Sequence, residues 1–460
     1  MPRADTSRPR LRPAVVALAT ALGLASAAGM AQAQSLQALY DAARAYDVVY
    51  QSARSQAEST VYKAEQSRAL KRPNLNLTGN LARVNSDTPF SSTLNSNTTS
   101  ASVGVALTQS LFNRPNDKII AQAERGIEVG NAQLAAAEQD VIVRVAQAYF
   151  DVLSAADALD TVRTGKKAIA EQLASAKRNF EVGTATITDT REAQARFDLS
   201  TAQELAADND LNVKRLALDQ LVGQKGVSPK PLAQPVLLPP VAPADVEAWV
   251  TQAEGASPTL RQARLALDVA RLETEKARAG SLPTAALSAG FTEAHTRLAA
   301  SAKVGNNVVG IGPNTGNGLS SNIALQMSMP LYSGGLIQNR LKETLSLEDK
   351  AQSDLEAARR SLAQGTRAAY FGVQSLLGQV KALEAAESSS KLALEATQLG
   401  YKVGVRVNLD VLNAQTQLYQ AQRDLAKARY DTLVNGLKLR QAAGVLQPSD
   451  VGAVDALLAR

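Results

Sequence analysis

The stretch YKVGVRVNLDVL, residues 401–412, interrupts a tract otherwise rich in helix formers, and FEVGTATITDTR, residues 180–191, does the same 221 residues earlier. Phe180-Glu181-Val182-Gly183 matches Tyr401-Lys402-Val403-Gly404, and Asp189 matches Asp410. A glycine that stops a helix and lets the chain reverse marks the tip of a helical hairpin. The same offset relates AYFDVLSA (148–155) to AYFGVQSL (369–376), and Leu221-Val222-Gly223 to Ala442-Ala443-Gly444. An offset held over about 75 residues identifies two copies of one structural unit.

Working outward, each copy opens with a helical stretch that ends at proline, Arg72-Pro73 in the first and Leu282-Pro283 in the second. Beyond it the hydrophobic period changes from helical to two. Leu75, Leu77, Gly79 and Leu81 alternate with Asn74, Asn76, Thr78 and Asn80, and Val103, Val105, Leu107 and Leu111 alternate with polar or small residues. The second copy has Leu287, Ala289 and Phe291, then Ile323, Leu325, Met327, Met329 and Leu331. These are four strands of about 10 residues or more, each with one apolar and one polar face. NSDTPFSSTLNSNTTS (85–100) and KVGNNVVGIGPNTGNG (303–318) read as long hairpin loops.

After each strand pair the chain returns to helix, over 116–180 and 336–402, tracts that reach on the order of 100 Å if continuous. In the last long helix, Val411, Leu418, Leu425, Thr432 and Leu439 recur every seven residues, with Ala414, Ala421, Ala428, Asn435 and Ala442 at the companion positions. That is antiparallel coiled-coil packing in which alanine permits close approach. Between the copies, the prolines of residues 223–249 forbid a regular helix. The segment is a flexible linker or a packed crossover, and Trp249 with Val236, Leu237 and Leu238 favours packing.

Residues 1–33 read as a secretory signal: four arginines precede an apolar run from Ala14 to Met30, and Ala31-Gln32-Ala33 supplies the small-residue cleavage site. No other segment has the roughly 18 continuous apolar residues of a spanning helix, so any further crossing uses strands. The chain has no cysteine, which excludes disulfides and thiolate chemistry. The net charge of +6 falls to +3 without the signal segment, and no nucleic-acid partner is expected.

Four strands with an outward apolar face leave unpaired edges that lipid cannot satisfy, so they need partners from other chains. Three chains would give twelve strands, although the arithmetic alone also allows dimers or tetramers.

The signal peptide, the duplicated helix-strand-strand-helix-helix plan, the TQSLFN and MPLYSGG strand exits and the paired VG…D tips together resemble the TolC family of outer-membrane efflux proteins. The resemblance covers essentially the whole mature chain. It implies an α+β membrane protein, a homotrimer with a 12-stranded β-barrel in outer-membrane lipid and a long periplasmic α-helical barrel. The parts are then a signal peptide (1–33), a first repeat (34–223; strands about 74–112, hairpin 116–223), a Pro-rich equatorial segment (224–256), a second repeat (257–444; strands about 284–332, hairpin 336–444) and a peripheral tail (445–460). The resemblance also implies an exit duct for drug efflux or type I secretion, docked to a periplasmic adaptor and an inner-membrane RND, MFS or ABC transporter.

In such proteins the periplasmic end is held closed by links between the two hairpins. Arg406 matches the tip arginine, with Thr188 and Asp189 as its expected partners; Tyr401 matches the tyrosine of the second set of links, with Gln172 at its partner position. The alternative is that Arg406 and Asp189 solvate and cap the hairpins. Asp410 matches the first of two acidic ring positions at the pore constriction, and the second is Asn413, one helical turn on. One carboxylate ring instead of two would make the constriction less cation-selective; alternatively Asp410 is an exposed charge flanking the heptads.

No nucleophile motif, phosphate loop or metal-ligand cluster accompanies the single histidine, His295, so neither catalysis nor a cofactor is expected. The rival reading is an exported structural or adhesive coiled-coil protein without a pore.

Overall fold

A computed structural model describes residues 34–87, 95–304 and 307–459; the expected signal segment and the outer part of the first hairpin loop lie outside the described residues. The chain divides into two compact units that cut across the sequence repeats. One comprises residues 34–51, 137–256 and 363–459, the other residues 52–136 and 257–362.

The second unit holds one antiparallel sheet in the order β1 (Asn74–Asp87), β2 (Asn95–Phe112), β3 (Thr284–Val304), β4 (Asn307–Ser328). Both sheet edges, β1 and β4, lack a neighbour among the described residues. The register puts Leu77, Val105, Phe291 and Ser321 in one row and Leu75, Leu107, Ala289 and Ile323 in the next. Rows on the opposite face carry Asn76, Ala106, Gly290 and Asn322, then Thr78, Gly104, Thr292 and Ser320. The expected alternation therefore becomes one apolar and one polar sheet face, and the apolar side chains are open: Leu77 is 76% exposed and Ile323 82%.

Two strand expectations are corrected. Residues 85–87, 95–100 and 307–318 belong to β1, β2 and β4 and not to loops, because the ladder is made by backbone groups and continues through serine, threonine, glycine and asparagine where side chains give no hydrophobic signal. Conversely β4 ends at Ser328, so Met329 and Leu331 lie beyond the strand.

Beside the sheet this unit holds most of α2 (Val48–Arg68) and all of α6 (Pro258–Ala279). It also holds the openings of α3 (Arg114–Glu181) and α7 (Leu336–Lys402). On α6, Glu273 accepts hydrogen bonds from Lys276, from Gln122 at 2.9 Å and from Arg340 at 2.8 Å. Burial opposes ionisation of Glu273, but these three donors outweigh it and hold the carboxyl down at about 2.

The first unit contains α1 (Leu36–Tyr46), the distal parts of α3 and α7, α4 (Ile187–Val222), α5 (Val246–Ala256), α8 (Asn408–Ala442) and α9 (Pro448–Asp455). All five expected heptad residues of α8, from Val411 to Leu439, are buried, as are Ala421 and Ala428. The duplicated Ala-Tyr-Phe motif explains how the Pro-rich crossover is held. Tyr149 accepts from the Lys230 amide at 2.8 Å, and Tyr370 donates to the Ala244 carbonyl. Trp249 adds a bond to the Pro243 carbonyl at 2.8 Å, and Leu238 packs on Val380, Leu425 and Ala428. The crossover is thus packed and not a free linker.

The C-terminal tail, expected to be peripheral, is integrated. Asp455 accepts from the Leu36 amide at 2.7 Å at the start of α1, Leu232 bridges to Leu458, and Val451 is buried. A carboxylate at a helix N-terminus satisfies an otherwise orphaned donor and favours the dipole.

Candidate functional site at the paired hairpin tips

Both hairpin tips lie in the first unit and are built alike. Gly183 and Gly404 have φ of +79° and +80°, a left-handed backbone that glycine adopts without a Cβ penalty. In the first tip Thr184 and Ala185 donate to the Asn179 carbonyl at 2.8 and 3.1 Å; in the second, Val405 and Arg406 donate to the Gly400 carbonyl at 2.9 and 3.1 Å.

The caps that follow differ. Thr186 Oγ1 accepts from the Asp189 amide at 3.2 Å, and the Asp189 carboxylate accepts from the Thr186 amide at 2.9 Å. This reciprocal box is worth about 1 kcal/mol to the start of α4. In the second tip Val407 has no side-chain acceptor, and only the Asp410 carboxylate reaches back, to the Val407 amide at 3.4 Å.

The structure gives the expected link residues different partners from those read in the sequence. Tyr401 Oη accepts from Asn179 Nδ2 at 3.3 Å, and Gln172 Nε2 donates to Asn408 Oδ1. Gln172 and Tyr401 thus each bridge the two hairpins, but not to one another.

The stem of Arg406 lies over Gly400, where a Cβ would stand 2.8 Å from Arg406 Cγ. Its guanidinium is 3.7 Å from Asp410, an exposed pair worth well under about 1 kcal/mol. Among the described residues no hydrogen bond or ion pair joins Arg406 to Thr188 or Asp189; Thr188 is exposed and Asp189 caps its own helix.

A third bridge was not foreseen: Arg196 Nη2 on α4 donates to Asn413 Oδ1 at 3.0 Å. Asn413, expected from the sequence at the second ring position, is thus a neutral acceptor held by a cation. In the first repeat the position equivalent to Asn413 is Glu192. Asn179, Arg196 and Asn408 escaped the sequence reading because they belong to neither the glycine motif nor the heptads. The one available signal was the polarity of Asn408 one turn before Val411 and Leu412.

Beneath the tips lie two small apolar clusters. Leu173 and Ala176 of α3 meet Ala193 of α4 and Leu412 of α8, while Leu394, Val411 and Leu418 pack with Tyr401. Asn408 is only 2% exposed, and among the described residues neither its Nδ2 nor the Oε1 of buried Gln415 has a hydrogen-bond partner. Unpaired buried polar atoms cost about 1–3 kcal/mol each and make this junction easier to open than an apolar one.

His295 sits within β3 in register with Ala101 and Asn317, and its Nδ1 lies 2.5 Å from Asn317 Oδ1.

The chain thus combines a sheet with one open apolar face, whose edges are unpaired among the described residues, with long helical hairpins whose tips carry polar bridges. The sequence profile of the outer membrane efflux protein family matches residues 39–224 and 249–445, and the chain belongs to that family. It is 35% identical to the outer membrane protein TolC of Vibrio cholerae over 92% of this chain and 94% of that one. It is also 35% identical to the alkaline protease secretion protein AprF of Pseudomonas aeruginosa, over 69% of this chain and 64% of the other. The Campylobacter jejuni CmeC outer membrane channel shares the fold with a TM-score of 0.74 at 16% identity, covering 92% of this chain and 89% of that one. The protein is thus an outer-membrane exit duct of the efflux and secretion class, in a family of channels and not of enzymes.

Proposed function

We propose that three copies of the chain form a passive duct, a 12-stranded β-barrel in the outer membrane continued by a periplasmic α-helical barrel. It would receive drugs or proteins from an inner-membrane transporter of the RND, MFS or ABC type through a periplasmic adaptor. The observation that carries this reading is the four-stranded sheet with an open apolar face and, among the described residues, two free edges, which is stable in lipid only when closed by further strands. No reaction is assigned to the chain; its chemistry is recognition and gating.

In this reading the tips form the periplasmic gate. Gln172 with Asn408, and Asn179 with Tyr401, hold the two hairpins of one chain together, while Arg406 engages Thr188 and Asp189 across the boundary with an adjacent chain. Opening separates the hairpins in the manner of an iris. Asp410 supplies the one carboxylate ring of the constriction, and Asn413, neutral and bound to Arg196, weakens the second. Single-channel recording of Arg406→Ala combined with Tyr401→Phe tests the gate: conductance rises if these residues hold it shut, and an unchanged conductance refutes the assignment.

A further inference from the structure

The apolar face of the sheet ends in a basic row. From Met327 up to Leu81 the row positions on this face are mostly Leu, Val, Ile, Phe, Met and Ala, interrupted by Gln109, Ser321, Gly79, Glu293, His295 and Asn317. Five row steps of about 7 Å, on strands tilted by about 40°, span about 25 Å of membrane, the height of the lipid-facing band of an outer-membrane barrel. The next row outward reads Arg83, Thr99, Arg297, Thr315. Arg83 and Arg297 flank Thr99, so their backbones are two strand spacings, about 10 Å, apart.

All four points at which the chain enters or leaves the sheet are at the opposite end, near Asn74, Phe112, Thr284 and Ser328, whereas Arg83 and Arg297 lie toward the hairpin ends. The hairpin end of such a barrel is the cell exterior. Both arginines are exposed, and neither has a hydrogen bond or ion pair among the described residues. Arg68, Arg144 and Arg340 on the helices are, by contrast, matched to carboxylates. Glu293 is two rows nearer the middle of the band, about 14 Å along the strand from Arg297, and His295 is engaged by Asn317.

We propose that Arg83 and Arg297 form a binding site on the lipid-facing surface of the sheet for the phosphorylated headgroup of an outer-leaflet glycolipid. Two unpaired guanidiniums at the edge of an apolar band meet phosphates with charge-assisted, bidentate hydrogen bonds while the band below covers the acyl chains. An arginine at the edge of the band costs far less than one at mid-membrane. The site thereby fixes the depth and orientation of the barrel in an asymmetric membrane.

The test is lipid retention by the full-length protein in detergent, read by native mass spectrometry, with bisphosphorylated lipid A and its dephosphorylated form as probes. The wild type should hold the phosphorylated lipid at least about tenfold more tightly. Arg83→Gln with Arg297→Gln should abolish that preference, and Arg83→Lys with Arg297→Lys should retain most of it. Millimolar inorganic phosphate should fail to displace the lipid. Equal binding of the two lipids by the wild type overturns the proposal without recourse to any variant. So does an undiminished preference in the glutamine variant, or complete displacement by inorganic phosphate. None of these readouts depends on the gate or on transport.

Discussion

Gln172, on the outgoing helix of the first hairpin, donates its amide to Asn408, in the first turn of the returning helix of the second, at a position almost wholly removed from solvent. Together with the bond from Asn179 to Tyr401 it ties the two repeats of one chain within about three turns of their tips. Both bonds link neutral groups, so each is worth about 1 kcal/mol net and can be broken without stranding a charge. Loss of one bond should shift the closed-to-open ratio about fivefold and loss of both about thirtyfold. Gln172→Ala and Asn179→Ala, singly and together, should therefore raise open probability in planar bilayers in that order.

The pairing of Arg196 with Asn413 makes a specific prediction about selectivity. Asn413→Asp alone should increase cation preference and multivalent-cation block only slightly, because the new carboxylate would form an ion pair with Arg196. Adding Arg196→Gln should release the full effect. Reversal-potential measurements in a salt gradient distinguish the two variants, and equal selectivity in both would remove Arg196 from the account.

The tip glycines should matter through backbone conformation alone. A Cβ at Gly183 or Gly404 meets nothing within 4 Å, so alanine introduces no clash, only the cost of a positive φ, about 1–2 kcal/mol at each tip. Hydrogen exchange should show faster opening confined to the affected hairpin end, with the sheet unchanged.

Acid sensitivity should be traceable to Glu273. Its carboxyl falls from 4.5 to about 2 on folding, so its contribution is complete above pH 4.5 and is lost as the pH drops from there toward 2. Glu273→Gln should lower thermal stability at neutral pH and narrow the gap between neutral and acid stability. Melting curves at pH 7 and pH 3 for both proteins provide the check.

Much of this architecture was legible because it is periodic. The heptads from Val411 to Leu439, the alternation from Asn74 to Leu81 and the constant offset between Gly183 and Gly404 are each long-range patterns that one sequence can display. The outer half of β4 was not legible, because glycines and asparagines there hydrogen-bond through the backbone and carry no periodic signal. Nor were the partners at the tips. Whether Tyr401 meets Gln172 or Asn179 depends on the axial register of one hairpin against the other, seven residues or two turns of helix, which the offset between repeats does not encode.

The most direct test of the central claim is the conductance of the purified protein in a planar lipid bilayer. The account predicts discrete single-channel steps, rare in the wild type and far more frequent when Gln172 and Asn179 are replaced by alanine. A protein that inserts as an oligomer yet passes no current in either form would contradict it.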